Sequence, residues 1–135
     1  MGSPVVPLPR AETVTITFIT SAEVTGRFLL IMRTSENIIA LAKEIEEYFE
    51  ENSCPIPNEP ALRRIKFLCA RIGGYDHYIA EKAGEIEYLA GRFFSSRKHK
   101  THPGGADGIY SRIVHDLLSR IRDRAANIEY AERNP

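Results

Sequence analysis

The sequence predicts a mainly α protein: an elongated antiparallel helical bundle of three long helices, or four if the middle one breaks at Gly73-Gly74, preceded by an extended arm or short strand. Three observations predict it. Apolar residues recur at helical spacing in three separate stretches, and two connections rich in proline or glycine divide those stretches. A single short stretch near the N-terminus has the period of a strand.

Residues 1–11 include three prolines and little that can be buried in register, so they read as a flexible arm, with residues 12–135 as a single helical domain. Thr13 to Phe18 alternates threonine with apolar residues, the pattern of a half-buried strand. One strand needs a partner, such as its copy in a second subunit, unless it lies as a strap along helices or joins a longer helix.

Thr20 and Glu23 have the spacing of a capping box, which satisfies free backbone donors at a helix start. Val24, Phe28, Ile31, Ile38, Ala42, Ile45 and Phe49 then form one stripe, interrupted only by Ser35. This favours a single helix over residues 21–51, about 45 Å long at 1.5 Å per residue. Pro55 and Pro57 end it, because neither can donate a backbone hydrogen bond.

Asn58 is suited to an N-cap, with Pro60 in the first turn. A second stripe runs through Leu62, Ile65, Cys69, Ile72, Tyr75, Ile79, Ala83, Ile86, Ala90 and Phe93. It keeps phase through Gly73-Gly74, so a helix over 59–97 is expected, bent or broken at the glycines, which together cost about 2 kcal/mol against alanines. Lys100 to Asp107, with His102-Pro103-Gly104-Gly105, reads as a loop. A last helix over 107–131 carries Tyr110, Ile113, Val114, Leu117, Ile121, Ala125 and Ile128 on one face. Three long helices with one apolar face each leave surface to spare, so a homodimer is expected.

At 135 residues with 43% hydrophobic and 27% charged residues, the chain has the size and composition of one ordinary globular domain, far from the disordered regime. The longest apolar run, Phe28 to Met32, is far short of the ~20 residues a membrane span needs. The first ten residues have no basic stretch followed by a long apolar one, so a cytoplasmic address is the expectation. Two cysteines, Cys54 and Cys69, are too few for a disulfide framework. Formal net charge is zero but unevenly spread: residues 1–53 hold four Lys or Arg against eight acids, and residues 54–135 hold fourteen against ten. Two packed halves that neutralise each other account for this, and a nucleic-acid face is the alternative.

Three constellations are candidates for binding. Arg97, Lys98, His99, Lys100 and His102 form a basic loop able to attract phosphate, RNA or an acidic partner. His99 and His102 alone lack the four ligands of a zinc site. Asp76 and His77, between Tyr75 and Tyr78, follow the glycine pair and gather titratable and aromatic groups at a kink. Arg112 and His115 stand one turn apart on one side of the last helix, about 180° and 120° from its apolar stripe. Asp116 lies one turn from both Arg112 and Arg120, the spacing of solvated ion pairs. The acidic end of the first helix (Glu44, Glu46, Glu47, Glu50, Glu51) and the arginines of the last (Arg112, Arg120, Arg122, Arg124) are the expected charged surfaces.

The fragment Ser111 to Asp116 is similar to part of the Arg-Asn-x-x-x-His signature of the higher-eukaryote-and-prokaryote nucleotide-binding ribonuclease family, with Tyr110 and Ser111 where that motif has Arg and Asn. In that family the motif's Arg and His act on an RNA phosphate from a helical dimer; here His115 matches that His, and Tyr110 stands at the Arg position. His115-Asp116 also resembles the His-Asp-x-Leu box of histidine kinases, without an accompanying ATP-binding motif. A strand over 13–18 followed by helices is similar to the ribbon-helix-helix repressors, which would make Thr13, Thr15 and Thr17 the base readers and Thr34-Ser35 the interhelical turn. The stripe, which keeps phase through 34–37, and the acidic character of the segment oppose that arrangement.

The leading expectation is a non-enzymatic helical protein-protein interaction domain, adaptor or regulatory, that forms a homodimer and binds another protein, with no cofactor, metal or membrane. The alternative is a nucleic-acid-binding regulator, and third an RNA-processing enzyme using Arg112 and His115.

Overall fold

The computed structural model describes residues 33–134, and every regular element in that range is helical. Helix α1 is Thr34–Glu51, α2 is Glu59–Gly73 and α3 is His77–Phe93. A 3-10 turn, Lys98–Thr101, leads into α4, which joins an α-helical stretch Gly105–Ser111, a π-helical stretch Arg112–Leu117 and an α-helical stretch Leu118–Arg133. The four helices pack as a bundle, α1 against α2 and α4, and α3 against α2 and α4. The expected arm, the strand at 13–18 with Thr13, Thr15 and Thr17, and the first part of the 21–51 helix lie outside the described residues.

The middle segment breaks at Gly73-Gly74 and folds back as a hairpin of α2 and α3, so the four-helix alternative is the one present. Gly74 closes α2 with its N–H on Arg71 O at 3.2 Å. Asp76 then takes extended dihedrals and caps α3, its carboxylate accepting from Ile79 N at 3.2 Å. A Cβ on Gly73 would stand 3.3 Å from Ala80 Cα, so this glycine lets the two arms approach where they meet. Both Ile72 and Ile79 are fully buried, seven residues apart on either side of the turn. That spacing is what kept the sequence stripe in phase across a chain reversal.

Helix α2 starts as the sequence implies, with Asn58 accepting from Ala61 N at 3.2 Å and proline in the first turn. Helix α3 stops at Phe93, short of residue 97, and the break in periodicity lets both Phe93 and Phe94 face inward. Phe94 stacks on Phe49 at 5.7 Å between centroids, and Phe93 meets Phe49 edge-on at 5.8 Å. The loop into α4 depends on glycine: Gly104 and Gly105 have φ of 81° and 68°, and a Cβ on Gly108 would fall 2.3 Å from Pro103 O.

The core joins Ile38, Ile45 and Phe49 of α1, Ile65, Leu68 and Ile72 of α2, Ile79, Ile86 and Phe93 of α3, and Ile109, Ile113, Leu117 and Ile121 of α4. Each such side chain contributes about 1.5–3 kcal/mol by leaving water. The α4 stripe has a cost in backbone register. Its buried residues Ile109, Ile113, Leu117, Ile121 and Ala125 recur every four positions, a drift of roughly 160° over the four steps of an ideal helix at 3.6 residues per turn. The wider π turn absorbs part of that drift, with Leu118 N–H donating to Ile113 O. Among the described residues no helix is long and apolar enough to cross a membrane.

Candidate interaction surface

Each arginine of α4 has a carboxylate, on α1, on α3, at the α3 cap or on α4 itself. Arg112 donates from Nε to Glu85 at 2.8 Å and from Nη1 to Asp116. Arg120 Nε reaches Asp116 at 2.6 Å, and Arg122 reaches Glu46 of α1. Arg124 binds Asp76 through Nε and Nη2 at 3.0 and 2.9 Å. Asp76 is thereby held below the usual carboxylate range, chiefly by Arg124, and Asp116 is lowered chiefly by Arg120. The Arg112 guanidinium is pushed up, first by its bond to Glu85. On the other side, Glu44 of α1 takes Arg64 of α2 at 2.5 Å. Much of the charge expected to face a partner is therefore spent inside the chain, and two of these pairs, Glu44 with Arg64 and Glu46 with Arg122, tie its acidic first half to its basic second half.

The nine candidate residues do not assemble into one site. Asp76 is a cap and an anchor for Arg124, while His77 beside it is exposed, 3.7 Å from Glu81. Arg112 and His115 sit on the π turn at the other end of the arginine row. His115 is exposed with its ring edge-on to Tyr110 at 6.4 Å, and the two carboxylates on Arg112 occupy the guanidinium that would meet a phosphate. Tyr110 has its phenol pKa raised, first by burial and then by Glu50 and Glu46, which suits a packing role at this end of the bundle.

The basic loop is more ordered than a solvated connection. Arg92 Nη2 donates to Lys98 O and to Thr101 Oγ1, both at 2.9 Å, and Ser95 Oγ accepts from Lys98 N at 3.0 Å. His99 turns inward to 8% exposure, with its Nδ1 unpartnered, and His102 is half-buried. Arg97, Lys98 and Lys100 remain exposed. Among the described residues no three His, Cys, Asp or Glu come together as a metal site.

Lys98 opens onto a groove that sequence reading does not single out. It lies between α2 and α3, encloses about 680 Å3, and is lined by Leu62, Lys66, Gly84, Glu87, Tyr88, Gly91, Arg92 and Lys98. Gly84 and Glu87 also line a smaller hollow of about 320 Å3 that continues past Ala83 and Ala80 to Gly73, so the groove follows the hairpin. The floor is low because α3 carries glycine in its interior. A Cβ built on Gly84 or Gly91 would meet nothing within 4 Å, unlike Gly73. Each interior glycine costs about 0.8–1 kcal/mol against alanine, and packing among the described residues gives nothing back. Tyr88, 63% exposed, stands at the rim.

The electrostatics of this groove differ from those of α4. Among the described residues, none of Lys66, Arg92 and Lys98 has a carboxylate within the 4.0 Å of an ion pair, and Glu87 is the one acid in the wall of the larger hollow. The signal in the sequence was the pair Gly84 and Gly91, seven residues apart inside a helical stripe. Cys69 lines the smaller hollow but is no nucleophile: burial pushes its thiol up to about 12. Comparison of the chain with known protein families, with curated proteins and with solved structures finds no match.

Proposed function

We propose that this chain is a non-enzymatic helical interaction domain that binds another protein through the groove between α2 and α3. The observation that carries the reading is the contrast within one bundle: the α4 arginines all have carboxylates of their own, whereas Lys66, Arg92 and Lys98 have none among the described residues and flank a floor opened by two glycines. An exposed tyrosine over a concave, partly apolar strip with unspent charge is the composition of a recognition surface.

Self-association belongs to the proposal on a changed basis. Ile79 and Ile86, stripe residues that suggested surplus apolar surface, are fully buried in the chain's own core. A second copy has to use exposed side chains such as Ile39, Phe67 or Tyr88. The nucleic-acid reading draws on Arg97, Lys98 and Lys100, which are exposed and together; Glu87 in the groove wall opposes a phosphate backbone there. The enzymatic reading is weakened by the two carboxylates that occupy Arg112.

The test is differential co-purification. Gly84→Leu with Gly91→Leu fills the groove where space is free, so the double variant should melt no lower than the native chain. Partner proteins recovered from source cells with the native chain should be lost from the variant. The same proteins in the same amounts with both forms contradict the reading.

A further inference from the structure

We propose that the groove takes an acidic amphipathic helix of a partner protein, its small apolar face on Gly84 and Gly91 and its carboxylates on Lys66, Arg92 and Lys98. This rests on the groove being a docking surface, and it names the chemistry of the occupant. The length fits a helix. From Ala80 to Arg92 the groove follows α3 for thirteen residues, a rise of about 18 Å at 1.5 Å per residue step, which matches three turns or slightly more. The depth fits as well. With only hydrogen on Gly84 and Gly91, a second helix can settle toward the close end of the usual 8–10 Å interaxial range.

Charge selects among occupants. The larger hollow presents three cations and one carboxylate, and none of those cations forms an ion pair among the described residues, so the complement is acidic. A second copy laid face to face about a two-fold axis at the middle of the groove sets Glu87 against Glu87, a like-charge contact that this pairing cannot relieve. Residues 1–32 of this chain hold two acids and two arginines, no net complement to the groove. A nucleic-acid strand has the charge but would run its phosphates past Glu87.

The experiment is fluorescence anisotropy with the full chain and two labelled, side-chain-stapled helical peptides of about 16 residues. Both carry leucine and alanine on one face; one has glutamates on the other face and the second has lysines. The acidic peptide should bind saturably and at least about tenfold more tightly than the lysine peptide. Lys66→Glu with Lys98→Glu should reverse that preference, and Gly91→Leu should abolish binding of both peptides without lowering the melting temperature. A uridine-rich RNA of the same net charge as the acidic peptide should compete poorly. Equal binding of the two peptides, no effect of the charge reversals, or tighter binding of the RNA overturns the proposal. If partner recovery still depends on Gly84 and Gly91 while the acidic peptide shows no preference, the helix chemistry is wrong and the docking surface stands; if recovery is also unchanged, both fall.

Discussion

The carboxylate of Asp76 is shared between a backbone and a side chain: it caps α3 through Ile79 N at 3.2 Å and holds Arg124 of α4 through two bonds of 3.0 and 2.9 Å. One residue at the hairpin turn thus both starts a helix and pins that start to the neighbouring helix α4. Asp76→Ala should destabilise the protein by about 1–2 kcal/mol from the lost cap alone. Arg124→Ala leaves the cap in place and should cost less. Urea unfolding of the two single variants and the double checks this, since residues in one network give costs that do not add.

Acid should expose the same contact. The Asp76 carboxyl is lowered in the folded chain, first by its bond to Arg124. Its stabilising contribution is therefore complete above the ordinary aspartate value of about 3.9 and is lost as pH falls through the depressed folded value. Asp116, lowered first by Arg120, acts in the same direction, weakened by its exposure to solvent. The melting temperature of the native chain should drop more steeply below about pH 4 than that of Asp76→Asn. Parallel curves for the two proteins would contradict the assignment.

Three glycines should respond differently to alanine. Gly84→Ala and Gly91→Ala have free space and should each stabilise α3 by about 0.5–1 kcal/mol. Gly108→Ala places a Cβ 2.3 Å from Pro103 O, so the loop must shift and stability should fall. Thermal unfolding of the single variants measures all three signs.

Sequence periodicity carried the helices well where they run straight, and where chain reversal imitates helix phase it was the glycine pair, not the stripe, that signalled the break. Ile72 and Ile79 are seven apart, the spacing of one continuous stripe, and nothing in that pattern distinguishes a bend from a hairpin. Asp76, an N-cap residue type just after two glycines, was the local signal for the break, but its bond to Arg124, 48 positions away, is tertiary and has no signature in one sequence. The loop 97–102 was legible as basic, yet the inward turn of His99 follows from Arg92 bonding Lys98 O and Thr101 Oγ1, again invisible to composition. The row Arg112, Asp116, Arg120 was readable from its spacing of four. Glu85 on Arg112 and Glu46 on Arg122 were not.

The two thiols should separate in reactivity. Cys54 is exposed in the α1–α2 connection, whereas Cys69 is 3% exposed with its pKa pushed up to about 12 by burial. A disulfide reagent at neutral pH should label Cys54 promptly and Cys69 only as the protein unfolds. Two equally fast thiols would show that α2 does not pack as described.

The central claim, that the α2–α3 groove receives a partner protein, is tested most directly by photocrosslinking in source cells. A benzophenone side chain replaces Tyr88 at the groove rim in one variant and Tyr130, 70% exposed on α4, in another. The account predicts a discrete covalent adduct with another protein from position 88, none from position 130, and loss of the position-88 adduct when Gly84→Leu and Gly91→Leu are added. Adducts of equal yield from both positions, or from position 130 alone, would contradict it.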